Sequence, residues 1–324
     1  MAYPVPASAG AWYGSAAPTT AYSGTFIPEV WSGKLVEKFY DATVLAAIAN
    51  TDYEGEIRAQ GDLVKIRTKP TLTINNYTAG QTLTYQRPSS AVVELLIDKG
   101  KYFSAIVDDV QEVQADMDML SMWADDASEQ MKISIDTDVL NDVTGIGASA
   151  DLHADNFGAS AGRISQNINL GIPATPLTLV ARNPGASETE IMDLIVDFGT
   201  VLDEQNIPET GRWLLLPAWA CGLLKRSELR DASLTGDGVS VARNGRLGMI
   251  DRFTIYCSNL LPTNTGATAL YAGHAHGFTF ASQLTKMETL RAESTFGTIM
   301  RGLQVFGFQM VDGTAVAKAY AVKG

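Results

Sequence analysis

Hydrophobic and polar positions change period several times along this chain, and each change marks an expected element. From Pro28 to Ala49, the residues Val30, Trp31, Leu35, Phe39, Leu45 and Ile48 fall at spacings that suit one or two amphipathic helices. Between Gly61 and Lys101 the period shortens to two. Val64 and Ile66, then Leu72 and Ile74, alternate with polar residues, and Leu83 and Tyr85 resume the pattern after Asn75-Asn76-Tyr77-Thr78-Ala79-Gly80. This predicts a long β-hairpin with its tip near Asn75 to Gly80. Two polar-faced strands have little core of their own, so the hairpin is expected to lie on another surface. Val110, Val113, Met117, Leu120, Ala124, Ala127, Met131, Ile135 and Val139 then recur at steps of three and four. They predict one long helix over about 108–141, roughly 45 Å from end to end.

The second half reads as a compact α/β unit followed by strands. Leu177 to Val180 suits a strand, and Ser187-Glu188-Thr189-Glu190 matches a capping box for a helix with Ile191, Leu194, Ile195, Phe198, Val201 and Leu202 on one face. Trp213 to Leu216 is a continuous apolar strand stopped by Pro217, with a short helix expected through Leu224. The last quarter alternates again, with Phe253, Ile255, Phe278, Phe280, Leu303, Val305 and Phe308 as expected inward positions. No internal repeat is visible.

Composition narrows the classes of function. At 324 residues the chain suits one long domain or two interleaved ones. Its net charge of −12 argues against tight nucleic-acid binding as the main task, because phosphate is repelled on average. No apolar run reaches the roughly 18 residues of a membrane span, and no basic start precedes an apolar stretch. Cys221 and Cys257, the only cysteines, are flanked by apolar residues and read as small buried hydrophobes in a reducing compartment rather than a disulfide. The first 25 residues, rich in Ala, Gly, Ser, Thr and Pro, suit an extended arm whose rings, Trp12 and Tyr13 among them, plug into another surface.

Charge is segregated along the chain. Residues 61–101 carry six basic side chains, among them Lys65, Arg67, Lys69 and Arg87, against three acidic ones, whereas residues 103–142 carry eleven acidic side chains and only Lys132. A solvated acidic helix face is one reading. The other, favoured because a coreless hairpin needs a surface, lays the basic hairpin of one subunit across the neighbour's Asp109, Glu112, Asp116, Asp125, Asp126 and Glu129.

Candidate chemistry is thin. Gly158-Ala159-Ser160-Ala161-Gly162 matches the pattern of a hydrolase nucleophile elbow but lacks the apolar strand that must precede it. His274 and His276 could share one strand face, yet no third ligand lies near in sequence, and a turn-lining role fits better. The pairs Asp108-Asp109 and Asp125-Asp126 and the triplet from Asp136 to Asp138 lack the glycine-punctuated spacing of a calcium loop. No cofactor, no metal and no enzymatic activity are expected.

The order of arm, hairpin, long helix, α/β unit and closing strands resembles that of the major capsid proteins of tailed bacteriophages, whose Hong Kong 97-type fold also builds encapsulin shells. Phe26-Ile27-Pro28-Glu29-Val30-Trp31 with Leu45 to Ile48 is similar to the family's entry segment, and Gly61-Asp62-Leu63-Val64-Lys65-Ile66 to the opening of its extended loop. The stretch from Gly245 to Pro262 resembles the exit from the family's axial domain, and Phe296 to Gly307 its closing strands. The resemblance spans nearly the whole chain and implies an α+β architecture. Its parts would be an arm (1–55), an extended hairpin loop (56–100), a peripheral domain (101–174 and 273–324) carrying the long helix, and an axial domain (175–272).

By that resemblance the protein would be a homo-oligomer, assembling as pentamers and hexamers in the host cytoplasm into an icosahedral virion shell. The shell would enclose double-stranded DNA without sequence-specific binding and without contact to a membrane. Some relatives carry an N-terminal scaffolding extension, and the few residues here before the hairpin imply a separate scaffolding protein instead. A portal is implied too, and a decoration protein is possible within the family. An encapsulin shell that packages an enzyme, and a soluble α/β hydrolase using Ser160, are the alternatives.

Overall fold

Strand Arg212–Leu216 is buried at every position, and the reason is that both of its faces are covered. Trp213 and Leu215 enter one hydrophobic cluster, while Leu214 and Leu216 enter another. A strand of period two has polar alternation only where one face meets water, so a sheet covered on both sides reads as an unbroken apolar run. The computed structural model describes residues 41, 43–52, 63–70, 72–90, 92–114, 118–141, 168–227, 248–293 and 295–324.

In chain order the described elements begin with helix α1 (Leu45–Ile48), strands β1 (Leu63–Arg67), β2 (Val92–Leu96) and β3 (Lys99–Asp108), and helices α2 (Asp109–Gln114) and α3 (Met119–Asn141). Next come β4 (Leu177–Val180), β5 (Glu188–Glu190), α4 (Ile191–Glu204), β6 (Arg212–Leu216) and α5 (Ala218–Leu224). The chain closes with β7 (Met249–Ile250), β8 (Phe253–Cys257), β9 (Thr263–Asn264), β10 (Ala267–His274), β11 (Phe278–Arg291), β12 (Gly297–Met310) and β13 (Val316–Lys323).

The main sheet has the order β5-β4-β13-β10-β6-β8-β7, with β9 added to β10. It is mixed: β6 runs parallel to β8 and β13 parallel to β4, while β10 is antiparallel to both β6 and β13. One face carries α4 and α5, whose Ile191, Leu194, Ile195, Phe198, Val201, Leu202 and Leu224 are fully buried. Burying each such side chain contributes about 2 kcal/mol. The opposite face meets α1, the end of α3, the start of β11 and the end of β12, through Leu45, Ile48, Ile135, Val139, Phe278, Phe306 and Phe308.

A second, three-stranded sheet, β11-β12-β3, shares long antiparallel ladders, and the hairpin base pairs β1 with β2 from Leu63↔Leu96 to Arg67↔Val92. Asp203 at the end of α4 fastens neighbouring elements by accepting hydrogen bonds from Arg212 (2.6 Å) and Arg252 (2.7 Å). Burial alone would raise its carboxyl, but those two guanidinium groups hold it below the usual carboxylate range. Arg252 and Asp251 form the two-residue turn between β7 and β8, both at positive φ, as a tight hairpin of this type requires.

Several expectations are corrected. The apolar steps from Val110 to Val139 do not form one helix from residue 108: β3 runs to Asp108, and α3 begins at Met119. Asp118 starts that helix by accepting from the amides of Ser121 (3.3 Å) and Leu120 (3.2 Å), and these bonds hold its carboxyl below the usual range. Val110 and Val113 are exposed, and only Ile135, Asp136, Val139 and Leu140 of α3 are buried. The capping box at Ser187–Glu190 does not form. Residues 188–190 are drawn into a parallel ladder with β4, and Glu188 instead accepts from the Gly185 amide at 2.8 Å. Leu303 is exposed because the second sheet is covered on one face only, and Cys257 is exposed at the end of β8.

Candidate assembly interface

The hairpin is seated at its base and open beyond it. Ile66, Leu95 and Ile97 pack with Ala281, with Val64, Val93 and Val305 around them. Gly307 of β12 makes that seat close: a Cβ there would run into the Leu96 carbonyl oxygen and lie 3.0 Å from Ile97 Cα. Past the ladder the two arms are joined by Gln86, which donates to the Thr73 carbonyl at 2.8 Å and accepts from its amide at 3.1 Å. The chain reverses where the Gln81 amide donates to the Thr78 carbonyl at 3.1 Å, with Gly80 at φ 86°, a value glycine adopts without strain.

Every residue from 72 to 90 is exposed, and Ile74 and Tyr85 are 90% and 91% accessible. Large apolar side chains held in water at the end of a long arm find no covering partner among the described residues of their own subunit. Val110 and Val113 of α2 and Trp123 of α3 add exposed apolar surface. The uncovered face of the three-stranded sheet adds Tyr102, Ile106, Leu290 and Leu303, crossed by Glu288 with Lys286 (3.0 Å) and Arg301. Hydrogen bonds from Lys286 and then Arg301 hold the Glu288 carboxyl below its ordinary range. Sequence reading missed this face, although the alternation of Tyr102, Ser104 and Ile106 signals it.

The charged residues expected to meet across subunits fall into three groups. Lys65 pairs with Glu94 across the β1–β2 ladder at 3.3 Å, Asp109 receives the Arg291 guanidinium in a two-pronged contact, and Glu129 pairs with Lys132 at 2.6 Å. Those three are engaged within the chain. Arg67, Lys69, Arg87, Glu112 and Asp125 are exposed, and Asp126 is half-buried with an interaction inside the subunit. Trp12, Tyr13 and Asp116 lie outside the described residues.

The chemical candidates do not converge. His274 Nδ1 accepts from the His276 amide at 3.1 Å, which turns the chain and occupies one ring nitrogen. Burial, ahead of the nearby positive charge of Arg212, pushes the His274 ring below its usual value despite its bond to Thr210. Asp136 is buried and accepts from the Val44 (2.7 Å) and Leu45 (3.2 Å) amides, tying the entry segment to α3. Burial raises its carboxyl in spite of those bonds. Asp138 pairs with Lys101 at 2.6 Å. Among the described residues no cluster of three His, Cys, Asp or Glu side chains could hold a metal, and no helix is long and apolar enough to cross a membrane. Ser160 lies outside the described residues.

A long, partly apolar hairpin held in solvent beside a well-buried core suits a self-assembling structural protein. Its closeness to known proteins is specific. A family model described as phage capsid protein matches residues 90–319. The fold is similar to a structure from Mycobacterium phage Che8, at TM-score 0.71 and 26% identity over 91% of this chain and 97% of that one. It is also similar to the capsid of the cyanophage P-SCSP1u (TM-score 0.69, 15% identity, 92% and 94% covered). The capsid of a native GTA particle follows at TM-score 0.65 and 12% identity, with 93% and 97% covered. No curated protein matches the chain.

The chain belongs to the phage capsid protein family. Its mixed helix-and-sheet architecture is of the Hong Kong 97 type, and it is a structural protein of the phage shell.

Proposed function

We propose that the chain is the major subunit of an icosahedral phage head, closing as pentamers and hexamers around double-stranded DNA. The observation that carries this reading is the match of the family model over residues 90–319 to a chain whose hairpin is exposed throughout residues 72–90. The hairpin arm reaches a neighbour, with Arg67, Lys69 and Arg87 meeting Glu112 and Asp125 of the next subunit. Lys65, Asp109 and Glu129, held within their own chain, set the shape of the two surfaces rather than bridge them. Residues 175–272 serve as the axial domain at the capsomer centre, and the β11-β12-β3 sheet with α3 serves as the peripheral domain.

The net charge of −12 suits a wall that holds DNA without gripping it, because a surface that repels phosphate permits both filling and ejection. The subunit does no catalysis in this reading. A scaffolding protein, a portal and, in some shells, a decoration protein complete the particle, which forms in the host cytoplasm. Light scattering and negative-stain microscopy on the full chain, alone and with the products of neighbouring genes, test the proposal. Closed shells or rings of five and six subunits are expected. A monodisperse monomer or dimer under every condition overturns it.

A further inference from the structure

We infer that Cys221 and Cys257 form a reversible disulfide site within each subunit, open when the chain folds and closed by a hydroperoxide afterwards. The geometry comes from one corner of the main sheet. Cys257 is the last residue of β8 and stands beside Leu216, the last residue of β6, in a parallel register. The Ser258 amide donates to the Leu216 carbonyl at 3.1 Å, so the two strand ends are locked together. Pro217 then turns the chain into α5, and the Cys221 amide donates to the Pro217 carbonyl at 3.1 Å. One helical turn past the strand end brings Cys221 into the cluster that Leu216 enters, on the side of the sheet corner where Cys257 ends β8, and Cys257 acts on the Cys221 thiol electrostatically. Both are free thiols.

The two sulfurs differ in their access to solvent. Cys221 is 4% exposed, packed in the cluster beneath α5, whereas Cys257 is exposed. Burial first, then the neighbouring Cys257, pushes the Cys221 thiol up to about 12 against the opposing charge of Lys225. It stays protonated at neutral pH, and the exposed partner meets the oxidant. The peroxide O–O bond breaks as one oxygen passes to Cys257 Sγ, giving a sulfenic acid and one water. Cys221 Sγ then attacks that sulfur, the S–O bond breaks, and the leaving hydroxide takes the Cys221 proton as a second water. Two thiols lose two electrons in total, and one hydrogen peroxide is reduced to two waters. The bond would tie α5 to β8 across the chain between them. A reducing cytoplasm leaves the pair open, and release into an oxidising medium closes it.

The experiment uses the full chain, assembled or not, so its outcome is independent of whether shells form. The protein is treated with hydrogen peroxide while folded, then denatured, alkylated and digested without reductant for mass spectrometry. Alkylation of both cysteines is expected to fall together by roughly tenfold or more, with a Cys221–Cys257 linked peptide appearing and dithiothreitol restoring both thiols. Dimedone, which traps sulfenic acid, should label Cys257 in Cys221→Ser but not in the parent chain. Cys221→Ala serves if the serine variant does not fold. Two thiols that stay fully alkylatable, equal dimedone labelling in parent and variant, or a link between two copies of Cys257 would each overturn the inference.

Discussion

Leu214 in β6 and Ile74 in the hairpin arm are aliphatic residues of similar size in segments of period two, yet one is fully buried and the other is 90% exposed. Leu214 lies in a sheet covered on both faces, where α4 and α5 meet it from one side and the aromatic cluster of Phe278, Phe306 and Phe308 covers the other. Ile74 lies past the end of a short ladder, with only exposed neighbours from 72 to 90. The difference separates what the subunit needs to fold from what it presents to others. The sheet repays the conformational entropy of ordering within one chain, whereas the described residues give the hairpin arm no such burial.

Substituting alanine at these two positions tests that division most strongly. Leu214→Ala should destabilise the monomeric chain by about 3–4 kcal/mol through lost burial and the cavity left behind. Ile74→Ala should leave the denaturation midpoint within about 0.5 kcal/mol of the parent. Equal effects in urea unfolding would show that the arm folds back onto its own subunit.

A smaller effect is expected beside the main sheet, where Asp136 holds Val44 and Leu45. Asp136→Ala leaves those two backbone amides buried without an acceptor and should cost about 1–3 kcal/mol. The pH dependence has a definite sign. Burial raises the folded-state carboxyl, so its contribution is fully present below the unfolded value of about 3.9 and is lost as pH rises through the folded one. The parent chain should therefore lose stability relative to Asp136→Asn on going upward from about pH 4. Parallel thermal-unfolding profiles for the two proteins would contradict this.

The smallest effect on the isolated subunit, and the sharpest on assembly, is expected from reversing Arg67, Lys69 and Arg87 to Glu. Exposed charges contribute little to the fold, so the monomer should change by less than about 0.5 kcal/mol. On the proposed docking, assembly followed by light scattering should be lost, because like charges would then face Glu112 and Asp125 of the neighbour. Normal shells from the triple variant would remove electrostatic docking from the account and leave the apolar contacts of Ile74 and Tyr85 as its basis.

Local periodicity was a reliable guide where burial follows from neighbours close in sequence. The buried face of α4 from Ile191 to Leu202, the strand from Trp213 to Leu216 and its stop at Pro217 are all as the residue pattern predicts. It failed where a distant strand competes for the same backbone. Residues 188–190 have the wording of a helix cap, but β4 takes their amides and carbonyls into a ladder. Leu303 alternates like an inward residue, but alternation marks a strand with one wet face without saying which of its two faces that is. The charge segregation was legible in outline, but the pairs Lys65–Glu94, Asp109–Arg291 and Glu129–Lys132 depend on geometry across turns and ladders.

The amino-acid sequence by itself determined the family, the order of the parts and the apolar stripes of α4 and β6, because periods of two and 3.6 are written in adjacent residues. Only the tertiary structure decided which strands run parallel, where α3 starts, which charges are already spent on their own subunit, and that Cys257 ends β8 beside the end of β6. Those facts depend on segments far apart in the chain arriving at one place, and no local pattern encodes the distance between them.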